Sequence, residues 1–278
     1  MKKIKLYYAN VPNVGDLLNP IIVSHLSNSK VVRSKLYSAN MTAIGSTLNN
    51  VLLSKRFKTR IIQKTLKLFS KSFIIWGTGF LREPENNEVF FRKDIKINAL
   101  RGKLSKNKVQ IILNKELDIA LGDPGILISD IIPKLHSKNG NLVGVIPHFR
   151  EQDNIEFEKL KNRFENAIMI DLKGDPISVL QQISACNYIL SSSLHGLIIA
   201  DSYRIPNLPI FVSDKVKGDG FKFSDYYSNF DLEYSPILSK YFDNISEDFI
   251  LKNYKITDKN VIDMKNSLYK SFPFEKNE

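Results

Sequence analysis

Cysteine is nearly absent from this sequence of 278 residues, where Cys186 is the only one. That excludes an intrachain disulfide and a cysteine-built zinc site. Its surroundings, Ile183-Ser184-Ala185-Cys186-Asn187-Tyr188-Ile189, are apolar, so a small buried core residue is expected, and a catalytic thiol has no partner nearby in sequence. Long apolar runs are missing too, since none reaches the roughly 18 residues needed to span a bilayer. The chain starts with charge at Lys2 and Lys3, but Asn10, Pro12, Asn13, Gly15 and Asp16 break any apolar stretch behind it. No signal peptide is therefore expected, and the cytoplasm is the expected compartment. Low-complexity segments and short-period repeats are also lacking. No His/Cys cluster has metal-ligand spacing, so the sequence requires no metal.

Positive charge is plentiful. The formal net charge is +11 and the pI near 9.5. Attraction to nucleic acid, to anionic lipid or to an anionic substrate would each account for it, as would a solvated basic surface. No RNA-binding or helix-turn-helix signature accompanies the charge, so no nucleic-acid partner is expected.

Apolar runs that stop at turn residues mark the strands. Lys3 to Ala9 reads as the first, with a loop from Asn10 to Asp16. Asn19-Pro20 then reads as a helix cap with proline at the first helical position. Thr42 to Ser46, Phe73 to Trp76 and Ile95 to Leu100 read as buried parallel strands, the last followed by a helix through Val109 to Leu113. The composition turns polar at Lys138-Asn139-Gly140-Asn141, and a second series follows. Its strands are Leu142 to Ile146, Ala167 to Ile170, Tyr188 to Leu190 and Leu208 to Val212. Its helices are Ile155 to Phe164, one opened by Asp175-Pro176, and Leu194 to Tyr203, with Val261 to Tyr269 as a C-terminal helix. This alternation predicts an α/β fold of two Rossmann-like domains, residues 1–139 and 140–278, around a cleft.

Ligands in open α/β sheets sit at loops after strands, so five such loops carry the candidates. Gly15 and Asp16 stand in the first, where the carboxylate either orients a hydroxyl or caps a helix. Gly77, Thr78 and Gly79 form the second and offer backbone N–H groups to an anion or sugar; the third glycine of a dinucleotide fingerprint is missing. Arg101 in the third suits a phosphate or carboxylate, with a structural ion pair as the competing reading. Asp123-Pro124-Gly125 reads as a turn and helix cap. Ser192, Ser193, Leu194, His195 and Gly196 form the fifth, where His195 falls in the first turn of a helix and either caps it or moves a proton. His148 ends a strand of the second series, with Arg150 two residues on. His25 and His136 read as structural or solvated.

Taken in order, Asn13 to Pro20, Phe73 to Phe80, Leu100 to Ser105, Leu121 to Leu127, Val143 to Phe149, Ser191 to Pro206 and Phe221 to Tyr226 resemble the polysaccharide pyruvyl transferases. The resemblance spans roughly residues 3 to 230. It implies a GT-B-like fold and transfer of pyruvate from phosphoenolpyruvate to a sugar hydroxyl pair, in surface or capsular polysaccharide biosynthesis. No further cofactor is implied. Under this reading His195 is the proton donor or transition-state stabiliser, Arg101 holds the donor anion, and Asp16 holds the acceptor hydroxyls. Gly15, Gly77, Thr78, Gly79, His148, Ser192, Ser193, Leu194, Gly196 and Lys217 are the expected substrate contacts. The acceptor is a sugar, with a lipid-linked oligosaccharide at the inner membrane surface as one form. Many members carry arginine where this chain has Ser193, so another base must supply that charge: Lys217 first, then Lys215, Arg150 or Arg204. A nucleotide-sugar glycosyltransferase of the same architecture and a non-enzymatic binder of anionic polymers are the rival functions.

Overall fold

The computed structural model describes residues 3–68, 72–85, 87–135 and 141–275. His136 and the expected domain boundary at 139/140 lie outside the described residues. The first sheet is built from β1 (Lys3–Tyr7), β2 (Lys30–Arg33), β3 (Met41–Thr42), β4 (Phe73–Trp76), β5 (Ile95–Leu100) and β6 (Ala120–Leu121). All its pairings are parallel, in the order β2-β1-β3-β4-β5-β6. Its helices are α1 (Val14–Ser27), α2 (Leu48–Val51), α3 (Phe57–Leu68) and α4 (Lys103–Leu113). The second sheet contains β7 (Val143–Ile146), β8 (Ala167–Met169), β9 (Tyr188–Ser191), β10 (Asn207–Phe211) and β11 (Ile237–Leu238). It too is parallel, in the order β11-β10-β9-β7-β8. Its helices are α5 (Ile155–Lys161), α6 (Pro176–Ala185) and α7 (Leu194–Ser202), followed by α8 (Phe221–Tyr227), α9 (Glu247–Asn253) and α10 (Asp258–Ser271).

Helix α1 begins six residues earlier than the Asn19-Pro20 signal predicts. Asn13 is its cap, accepting from Gly15 N at 3.2 Å, and Pro20 lies inside the helix. Proline there removes the donor that would meet the Asp16 carbonyl. The side chain of Asn19 replaces it, donating from Nδ2 to Asp16 O at 3.1 Å. The same fully buried amide donates to Ile44 O and accepts from Ile44 N at 2.9 Å. A residue pair that reads as a helix start thus repairs a helix and pins it to the loop after β3.

The two sheets share one apolar core. Leu18, Ile22, Ile126, Leu127, Leu180, Leu197 and Ile198 are fully buried within it. They come from α1, the 3-10 turn Pro124–Asp130, α6 and α7. Every residue of α7 except His195 is buried, as expected of a helix that is apolar all round. Burying one such side chain contributes about 1.5–3 kcal/mol, so this seam fixes the two sheets against each other. The C-terminal helix α10 returns to the first sheet. Trp76 Nε1 donates to Ser271 Oγ at 3.1 Å, and Phe272 meets the Trp76 ring edge-on.

In each sheet the strand order reverses once. The reversal lies between β1 and β3 in the first and between β7 and β9 in the second. Loops at the carboxyl ends of such strands form the crevice where α/β proteins bind ligands.

Candidate active site

The loops from both reversal points line one cavity of about 250 Å³. Asn13 and Asp16 follow β1, and Gly45 and Ser46 follow β3. Across from them, His148 and Arg150 follow β7, and Ser193, Leu194 and His195 follow β9. Lys217 and Lys222 close the remaining side. Six of the expected site residues, Asp16, His148, Ser193, Leu194, His195 and Lys217, therefore meet here.

Gly15 lies beneath His195. A Cβ on it would stand 1.9 Å from His195 Nδ1, so only glycine lets α1 approach the imidazole this closely. The Nε2 of His195 is closed off from solvent and bonds to no described residue. Burial, then the charges of Lys222 and Arg101, push the ring down to about 3, so it is neutral at pH 7 in the protein alone. His148 is held down to about 3 by burial, Lys222, Arg150 and His195. Its Nδ1 accepts from Arg150 N at 3.3 Å, and its backbone N–H donates to Ser192 Oγ at 2.8 Å.

Asp16 is the one acid among the described lining residues. Desolvation raises it to about 7; Lys222 opposes the rise and Asp123 adds to it. It therefore exchanges its proton near neutrality, the range in which a general acid or base works best. Asp123 itself is buried, raised to about 6, and caps the following turn by accepting from Gly125 N at 2.9 Å. That is the turn-and-cap role its sequence suggests.

Lys222 is the residue that sequence reading passed over. It lies on α8, only 9% exposed, and no carboxylate pairs with it among the described residues. Desolvation first, then Arg101, lowers it to about 8, against the pull of Asp16 and Glu151, so it carries its charge at pH 7. A buried ammonium without a carboxylate in contact is costly, and a bound anion relieves that cost. Its signal in the sequence is a lysine between Phe221 and Phe223 in an otherwise apolar and aromatic helix face with Tyr226 and Tyr227.

Arg101 does not line the cavity. It is fully buried and all three of its nitrogens are engaged within the protein. Nε donates to Asp225 Oδ2 at 3.0 Å, Nη1 to Ser46 Oγ at 2.8 Å, and Nη2 to Phe80 O at 2.5 Å. Asp225 also accepts from the N and Oγ of Ser105 at 2.7 and 2.6 Å. The competing reading, a structural ion pair, fits this geometry. Because Asp225 and Lys222 share α8, the pair fixes the helix that carries Lys222 into the cavity.

Gly77, Thr78 and Gly79 also lie away from the cavity lining. Thr78 Oγ1 donates to Gly45 O at 2.6 Å and meets Thr47 Oγ1 at 2.8 Å. A Cβ on Gly79 would stand 2.6 Å from Arg101 Nη2, so that glycine admits the guanidinium rather than a ligand. Gly196 packs against Ser191 inside the core. Lys215 is exposed outside the cavity, and Arg204 pairs with Asp258 at 3.4 Å.

Ser192 faces a second cavity of about 330 Å³, next to the first. Its Oγ donates to Glu151 Oε2 at 3.0 Å, and Ser213 Oγ donates to Oε1 at 2.7 Å. Asp214, Asp219 and the stacked rings of Phe223 and Tyr234 also line it, and no Lys or Arg does among the described residues.

The sequence matches a known family: the model for polysaccharide pyruvyl transferases covers residues 4–213. The chain belongs to that family. It is 32% identical over 168 residues to uncharacterized protein L143 of Acanthamoeba polyphaga mimivirus, covering 59% of this chain and 57% of that protein. It is 25% identical over 168 residues to succinoglycan biosynthesis protein ExoV of Rhizobium meliloti (strain 1021), covering 58% and 48%. The match thus spans about half the length of these curated relatives. No solved structure matches the chain. Among the described residues no group of His, Cys, Asp and Glu is placed to hold a metal ion, and no helix is long and apolar enough to cross a membrane.

Proposed function

We propose that this member of the pyruvyl transferase family moves pyruvate from phosphoenolpyruvate to two hydroxyls of one sugar, in the biosynthesis of a polysaccharide. The observation that carries the reading is the cation set around one small cavity. Lys222, Lys217 and Arg150 line it with no carboxylate partner among the described residues. Phosphoenolpyruvate carries a phosphate and a carboxylate, and such a cradle suits both.

The reaction needs a proton on the methylene carbon, which leaves cationic character on the neighbouring carbon. One sugar hydroxyl bonds to that carbon and its proton returns to the acid that protonated the methylene; the carbon–oxygen bond to phosphate then breaks, the second hydroxyl bonds to the same carbon to close the ketal, and its proton leaves with the phosphate. A bound anion raises Asp16 further, which favours the proton-carrying carboxyl and suits it to deliver the first proton. His195, neutral in the protein alone, serves as a hydrogen-bond partner for the developing charge, and becomes cationic only if the donor offsets Lys222.

The second cavity supports an acceptor subsite. Its acids repel a dianion, whereas stacked aromatic rings and a carboxylate suit a neutral polyhydroxylated ring. Read this way, the two sheets form a GT-B-like pair with donor and acceptor at their seam. A lipid-linked acceptor would bring the protein to a membrane surface.

Thermal unfolding of the full chain with phosphoenolpyruvate, and separately with nucleotide sugars, tests the donor. Stabilisation is expected from phosphoenolpyruvate alone, by RT ln(1 + [L]/Kd). Stabilisation by nucleotide sugars alone would transfer the reading to a glycosyltransferase. Turnover-free, salt-sensitive binding of anionic polymers that survives His195→Ala would make the protein a binder instead.

A further inference from the structure

The positive excess of the chain has one source. From Leu17 through Arg82 there is no Asp or Glu but there are eleven of the 40 Lys and Arg, leaving 29 to balance the 29 Asp and Glu elsewhere. Helix α3 lies in this stretch, and its first two turns rest on the protein through half-buried Thr59 and buried Gln63. Gln63 Oε1 accepts from Ser54 N at 2.6 Å, and its Nε2 donates to Leu52 O at 3.3 Å.

Ile61 is two residues from both Thr59 and Gln63, so it points about 200° away from each, to the outside. Phe57 stands one turn before Ile61 on the same side. Phe57 is 78% exposed, Ile61 50% and Ile62 53%. A helix on a water-facing surface ordinarily turns such residues inward. Arg56, Lys58, Arg60 and Lys64 are exposed around them, and none is paired with a carboxylate among the described residues. Exposed Tyr37 lines a hollow with Arg56 and Thr59, and Asn50 borders both this hollow and the active-site cavity.

We propose that α3 docks the protein on an anionic lipid bilayer, with Phe57 and Ile61 entering the acyl boundary and the four cations at the lipid phosphates. An apolar stripe rimmed by Lys and Arg is the pattern of a helix lying in a membrane interface. With Arg56 just before it, helix α3 carries four exposed cations and no acid, so the surface complementary to it is anionic; Glu85 and Glu88 lie on the far side of its start, at Lys55 and in the hollow. The proposal stands independently of pyruvyl transfer. It also sets the cavity mouth, by way of Asn50, beside the surface from which a lipid-linked sugar would come.

Co-sedimentation of the full chain with vesicles tests it, using phosphatidylcholine alone and phosphatidylcholine mixed with phosphatidylglycerol. Binding is expected to the mixed vesicles, weakening with added salt. Phe57→Glu with Ile61→Glu is expected to reduce it more than ten-fold while circular dichroism stays unchanged. Lys58→Ala and Lys64→Ala are each expected to reduce it about five-fold, which keeps the test open if the first variant folds poorly. Equal binding to both vesicle types, no binding, or variants that bind like the wild type would overturn the proposal. So would light scattering that shows a dimer dissolved by Phe57→Glu with Ile61→Glu, because the face would then cover a second copy.

Discussion

Arg101→Lys conserves charge at the end of β5 but not its reach, and so separates a structural arginine from a ligand-binding one. The guanidinium serves Asp225, Ser46 Oγ and Phe80 O together in a fully enclosed place. A single ammonium can follow Asp225 and at most one neighbour, so it strands a buried polar group. Leaving such a group unsatisfied costs about 1–3 kcal/mol, and the lost charge-assisted bonds bring the expected total to about 2–4 kcal/mol. For a chain of this size each kcal/mol moves Tm by about 2–4 °C, so Arg101→Lys is expected to melt roughly 5–15 °C lower in calorimetry. Asp225→Asn, which leaves Arg101 charged without a counterion, is expected to cost about 3–5 kcal/mol. A variant that melts within about a degree of the wild type while its donor KM rises would return Arg101 to the donor.

Lys222→Met removes a buried charge that desolvation holds from 10.5 down to about 8. It is expected to raise thermal stability by about 1–3 kcal/mol while abolishing stabilisation by phosphoenolpyruvate, both readable in one melting experiment. His195→Ala is expected to keep the fold by circular dichroism and to lower turnover about 10²–10³-fold. Asp16 must carry its proton to act as the acid, and it loses that proton near 7. The kcat/KM is therefore expected to fall as pH rises through about 7, and the profile of Asp16→Asn to lack that inflection. Lys217→Ala is expected to raise donor KM more than acceptor KM, with Ser193→Arg restoring part of the loss; unchanged donor kinetics would leave Arg150 and Lys222 as the anion's cations.

Much of the scaffold was legible because its strands are buried on both faces. Phe73–Trp76, Ile95–Leu100 and Val143–Ile146 are apolar runs ended by turn residues, and Asp175-Pro176 caps α6 as its sequence predicts. The two-residue strands β3, β6 and β11 are too short to carry a period. The start of α1 was misread because Asn19-Pro20 imitates a cap, and only a contact with Ile44 distant in sequence explains those residues. Helix α3 hides its meaning for another reason: Phe57, Ile61 and Ile62 stand on the side that does not face the core. At the cavity, the positions of His195, Asp16 and His148 are legible because each follows a strand. Lys222 is not, because it comes from a helix anchored by the Arg101–Asp225 pair rather than from a strand end. Gly79 likewise reads as a ligand loop until the guanidinium it accommodates is seen.

Pyruvyl transfer is measured most directly by product mass. The purified full chain would be incubated with phosphoenolpyruvate and a panel of synthetic and lipid-linked glycosides, and followed by mass spectrometry with phosphate release in parallel. The expected product is a glycoside heavier by one pyruvate less one water, formed with one phosphate per product and lost in His195→Ala and Lys222→Met. Phosphate release with no change in any glycoside, or glycosyl transfer from a nucleotide sugar in its place, would contradict it.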